Sequence, residues 1–165
     1  LFAVLYVALR LLGGLIRLPR AIRRWRKDRS REQGDDAVAR TLIALAAGGG
    51  ADARRQAQRA RQLLGDTPQT LLLAAEAGRL GGREDEAETA FRALAERKDA
   101  SAFLGFRGLL RQAIANQNWV EAASLARQAE TAHPGASWLR EERAQLAIRA
   151  GNWSEALELD RKSVV

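Results

Sequence analysis

The chain has 165 residues, 47% hydrophobic and 28% charged, with a formal net charge of +7 and neither cysteine nor methionine. The missing thiols exclude disulfides, thiolate metal sites and cysteine nucleophiles, and leave the compartment unread. The charge is uneven: residues 1–31 carry nine basic side chains against the single acid Asp28, a net of +8, so the remainder sums to −1.

Taken in chain order, residues 1–18 come first, an apolar run whose only charges are Arg10 and Arg17. As a helix they would reach roughly 27 Å, close to the roughly 30 Å hydrocarbon core of a bilayer. We read them as the C-terminal part of a transmembrane helix. A secretory signal would put its basic region before the apolar run, whereas here the basic block follows. Residues 19–34 form that block, a juxtamembrane segment in which Arg20, Arg23, Arg24, Arg26 and Lys27, with Arg17 before them, are placed to contact the membrane surface. Basic residues beside a membrane segment stay on the cytoplasmic side, so the rest of the chain is expected in the cytoplasm.

Gly34-Asp35-Asp36 reads as a break followed by a helix cap, with a repeat domain over 35–165. Helices are expected at 37–47, 51–64, 69–80, 84–97, 102–116, 119–132, 137–150 and from 153 onward. Turn residues separate them, among them Gly48-Gly49-Gly50, Gly65-Asp66-Thr67-Pro68, Gly81-Gly82, His133-Pro134-Gly135 and Gly151-Asn152. No alternating strand pattern competes, so the fold class is all-α. With no initial methionine and a last helix that stops at Val165, the sequence reads as a fragment.

A pattern recurs along this stretch. Ala53, Ala87, Ala122 and Ala156 stand 34, 35 and 34 residues apart, each just after a Gly- or Asn-containing turn. A helix pair every 34 residues is the mark of tetratricopeptide repeats, which stack into a right-handed α-solenoid, here of about four units with the last truncated. Alanine lets paired helices approach, while Phe91, Trp119 and Trp153 are expected to fill the gaps between units.

The apolar run, the basic stretch Arg17-Leu18-Pro19-Arg20-Ala21-Ile22-Arg23-Arg24-Trp25-Arg26-Lys27 and the repeats together resemble the N-terminal region of the HemY family. The segment Phe103-Leu104-Gly105-Phe106-Arg107-Gly108-Leu109-Leu110-Arg111-Gln112-Ala113 is similar to a stretch typical of that family. The resemblance implies a bacterial inner-membrane protein with a cytoplasmic repeat domain, acting in a late step of haem or porphyrin metabolism. It brings no catalytic residues with it.

The first helix of each repeat would present a shared groove: Leu72, Glu76, Arg79 and Leu80 in one unit, Leu104, Arg107, Arg111 and Ile114 in the next, then Trp138, Glu141, Gln145 and Arg149. Four of these are arginines, which suit carboxylates through paired hydrogen bonds. His133, the only histidine, stands at a helix end, where a cation cap suits it better than haem ligation. The acid clusters Glu84-Asp85-Glu86 and Glu141-Glu142 match a first turn and a solvated face, and no catalytic constellation emerges. The leading expectation is a membrane-anchored scaffold that binds a protein partner and is not an enzyme. The alternatives are direct haem or porphyrin binding and handover, or a general protein-interaction repeat module unrelated to haem, and nucleic-acid binding through the basic arm is disfavoured because an apolar run precedes it.

Overall fold

The computed structural model describes residues 29–154 together with Leu157 and Leu159, and all regular structure among them is helical. The helices are α1 (29–46), α2 (Gly50–Leu64), α3 (Pro68–Leu80), α4 (Glu84–Ala95), α5 (Ala102–Ala115), α6 (Trp119–Ala132), α7 (Ser137–Arg149) and the start of α8 at 153. The expected transmembrane helix at 1–18 and the basic residues Arg17, Arg20, Arg23, Arg24, Arg26 and Lys27 lie outside the described residues. Among the described residues no helix is long and apolar enough to cross a membrane.

One expected boundary is corrected. Gly34-Asp35-Asp36 does not interrupt the chain, because α1 is helical throughout 29–46. Gly34 is buried there, and a Cβ on it would fall 2.5 Å from Leu64 Cγ. This glycine admits a neighbouring side chain to the helix surface and stops nothing.

Local chemistry favours the starts of α3, α4 and α6. Thr67 caps α3: its hydroxyl accepts from the Thr70 N–H at 3.2 Å, while the Thr70 hydroxyl accepts from the Thr67 N–H at 3.0 Å. Pro68 supplies the first helical position, where its missing N–H costs nothing. Glu84, Asp85 and Glu86 fill the first turn of α4, where the helix dipole favours carboxylates. The Asn118 side chain caps α6 by accepting from the Glu121 N–H at 3.4 Å.

The sequence period reappears in the backbone. Residues 48, 82, 117 and 151 adopt positive φ of 75°, 69°, 56° and 74°. Around each, the same two hydrogen bonds form. Gly48, Gly82, Gln117 and Gly151 donate three residues back at 3.0–3.2 Å. Gly49, Arg83, Asn118 and Asn152 donate five residues back, to Ala44, Gly78, Ala113 and Ala147, at 2.8–2.9 Å. This left-handed close satisfies carbonyls that a helix end would otherwise leave open. Four copies at spacings of 34, 35 and 34 place the same turn inside the helix pairs α1–α2, α3–α4 and α5–α6 and between α7 and the start of α8.

Packing is equally repetitive. Helices α2 to α7 make their main contacts with their immediate neighbours along the chain. The small residues that close each turn are buried, including Ala53, Ala87 and Ala122, which are at most 1% exposed. One apolar cluster joins Ala37, Val38 and Ala44 of α1 to α2 and α3. A second sets Leu71 and Ala75 of α3 against Phe91 and Leu94 of α4. A third joins Leu110 and Ala113 of α5 to α6 and to Leu139 and Leu146 of α7. The expected gap-fillers divide. Phe91 is 2% exposed and Trp119 half-buried, but Trp153 is 64% exposed, because no described helix lies over it as α7 lies beside Trp119.

Candidate functional site

The first helices of successive pairs, α3, α5 and α7, bring positions 34 or 35 residues apart onto neighbouring helices. Glu76 and Arg111 are such a pair, and an ion bridge joins them across the units: Arg111 Nη2 donates to Glu76 Oε1 at 2.8 Å. Arg79 Nε donates to the other oxygen of the same carboxylate at 2.9 Å. Partial burial pushes the Glu76 carboxyl up. The hydrogen bonds and charges of Arg111 and Arg79 outweigh that and hold it below the usual carboxylate range.

Beyond this bridge, a cavity of about 430 Å³ opens between α5 and α7, lined by Arg107, Leu110, Arg111, Ile114, Trp138 and Glu142. Its chemistry is mixed. Leu110 is buried, Ile114 half-buried and Trp138 46% exposed, so apolar surface is on offer. The Arg107 guanidinium lies 5.9 Å from the Trp138 ring centroid, within cation–π range. Arg111, while bonded to Glu76, also lies 6.0 Å from the Phe91 ring centroid.

The structure therefore draws Arg107, Arg111, Ile114 and Trp138 around one cavity, with Glu76 bonded to Arg111 at its edge and Arg79 bonded in turn to Glu76. The other expected groove residues are placed differently. Leu72 is half-buried against the α3–α4 core. Leu104 is half-buried, while Glu141 and Gln145 are exposed. Arg149, at the end of α7, lies 5.0 Å from the Trp119 ring centroid and does not line the cavity. Leu110 and Glu142 complete the lining without having been expected there. Glu142 reads in sequence as half of a solvated acid pair, and only the turn of α7 toward α5 separates it from exposed Glu141.

His133 occupies the C-cap of α6, its N–H bonded to the Ala129 carbonyl at 3.0 Å and its ring centroid 5.1 Å from that of Phe103. Among the described residues no cluster of three His, Asp or Glu side chains is arranged to hold a metal ion. A larger cavity, about 630 Å³, lies between the α4–α5 loop and the last turns of α6. Its acid, Asp99, is already bonded to Ser101 and Arg97, and its apolar wall is mainly alanine.

Residues 1–82 match the family model described as HemY protein N-terminus. Over that stretch this is a HemY-family chain. The match ends at Gly82, in the left-handed turn that closes α3, so it takes in Glu76 and Arg79. The α5–α7 cavity and the Phe103–Ala113 segment lie beyond it. HemY proteins are associated with haem biosynthesis and with membranes. No curated protein and no solved structure matches the chain.

Proposed function

We propose that this HemY chain is a membrane-anchored scaffold of tetratricopeptide type, a right-handed solenoid whose first-helix face binds a protein partner in a late step of haem or porphyrin biosynthesis. It acts by binding and carries out no catalysis of its own. The observation that carries this reading is the α5–α7 cavity, where an exposed tryptophan, two aliphatic side chains and two arginines converge between neighbouring units. Such a site suits a side chain of another protein, because aromatic and arginine residues in a pocket dominate interface energetics. The recurring turn geometry supports the solenoid, since equivalent pairs that touch only their neighbours stack into one. An inner-membrane location with the repeats on the cytoplasmic side rests on the apolar run and the basic block after it.

The test is capture from detergent-solubilised membranes with the full chain as bait, comparing wild type with Arg107→Glu and Trp138→Ala. Recovery of a haem-pathway enzyme by wild type, reduced by either substitution, supports the scaffold and its groove. Equal recovery by all three moves the partner surface elsewhere, and absence of any pathway enzyme removes the haem-pathway role.

A further inference from the structure

The four groove arginines are not equivalent. Arg79 and Arg111 are bonded to Glu76, and Arg149 lies against Trp119. Arg107 forms no ion pair among the described residues, and its contact with Trp138 is through the ring. A guanidinium over an aromatic ring spends no hydrogen on the contact, so its N–H donors stay open to an incoming acceptor. Beside it the cavity offers Leu110, Ile114 and the Trp138 ring to an apolar side chain. The α7 wall carries Glu142, which disfavours a second acid there.

We infer that the α5–α7 cavity takes an extended segment of the partner in which an acidic residue adjoins a large apolar one. The acid docks on Arg107, the apolar side chain enters between Leu110, Ile114 and Trp138, and Glu76 competes for Arg111. This rests on the scaffold reading and adds the chemistry of the segment recognised. The competition has a direction. While Glu76 holds Arg111, the incoming acid meets one open guanidinium. Neutralising Glu76 with its shape kept weakens the charge-assisted hold on Arg111 and offers a second.

The experiment titrates the full chain with fluorescently labelled eight-residue peptides of glycine and serine. Their centre is Asp-Leu, Asn-Leu, Asp-Ser or Lys-Leu, and binding is read by polarisation. Asp-Leu is expected to bind at least about tenfold more tightly than the other three. Arg107→Gln should remove most of the Asp-Leu advantage over Asn-Leu, and Glu76→Gln should strengthen Asp-Leu binding about three- to tenfold, with far-ultraviolet circular dichroism unchanged in both. Equal binding of Asp-Leu and Asn-Leu, or no binding by any peptide, overturns the inference. So does weaker Asp-Leu binding by the Glu76→Gln chain. If the capture experiment still loses its enzyme on Arg107→Glu, the scaffold reading survives that failure. If no enzyme is captured while Asp-Leu selectivity holds, the site stands and the pathway assignment falls.

Discussion

Gln117 is the odd member of a set of four. At the same turn position the other units place Gly48, Gly82 and Gly151, and all four residues sit at positive φ. A side chain there sets its Cβ against the following carbonyl, at a cost of roughly 1–2 kcal/mol. Glycine avoids that cost but loses about 0.5–1 kcal/mol through the greater freedom of its unfolded chain. Gln117 is exposed, so removing its side chain forfeits little packing. Gln117→Gly is therefore expected to stabilise the fold by about 0.5–1 kcal/mol. For a chain of this length that is a rise in midpoint of roughly 1–4 °C. Urea and thermal unfolding followed by circular dichroism measure it, with Gln117→Asn expected between the two, since asparagine tolerates the left-handed region better. The glycines at the equivalent turns supply the reciprocal: Gly82→Ala should destabilise by about 1 kcal/mol or more. A Gln117→Gly chain no more stable than wild type, measured beside a Gly82→Ala chain that loses nothing, would refute the claim that one strained turn recurs in every unit.

Two further outcomes follow from close packing and charge. At Gly105 an added Cβ would fall 2.5 Å from the Phe91 carbonyl oxygen and 2.8 Å from Ala95 Cα, both backbone atoms that have no rotamer to yield. Gly105→Ala should thus cost about 1–3 kcal/mol in urea unfolding, although alanine is the better helix former. The Glu76 carboxyl is held below its ordinary range in the fold. Its bridge therefore contributes in full above the unfolded carboxylate pKa of about 4.3 and is lost as pH falls through the lower folded value. Stability measured between pH 3 and 7 should fall less steeply on the acid side for Glu76→Gln than for wild type.

The repeat was legible because the same turn must be made each time. Residues that tolerate positive φ, or that let two backbones meet, recur at 34 and 35 residues, and the expected bounds of α2 to α7 fall within two residues of those observed. Gly34 misled because a glycine that ends a helix and one that admits Leu64 to its surface are the same letter. Trp153 misled for a related reason: a residue in the register of Trp119 is buried only where a further helix covers it. In the groove, the sequence places Arg79 and Arg111 on first helices, but their bonds to Glu76 emerge only in the structure. The clue was present, since residues 35 apart occupy the same place on adjacent first helices, and opposite charges there will meet. The cavity itself depends on how far apart α5 and α7 stand, a distance no single segment encodes.

Packing limited to chain neighbours has a mechanical consequence. Among the described residues each helix pair packs mainly on the next, so a pull along the stack would meet one interface at a time. Opening one 34-residue unit would pay out roughly 110–120 Å of extended backbone while the units behind it stay folded. Stacked helix pairs of this kind are expected to lengthen in steps under load and to wind back, unit by unit, when the load is gone.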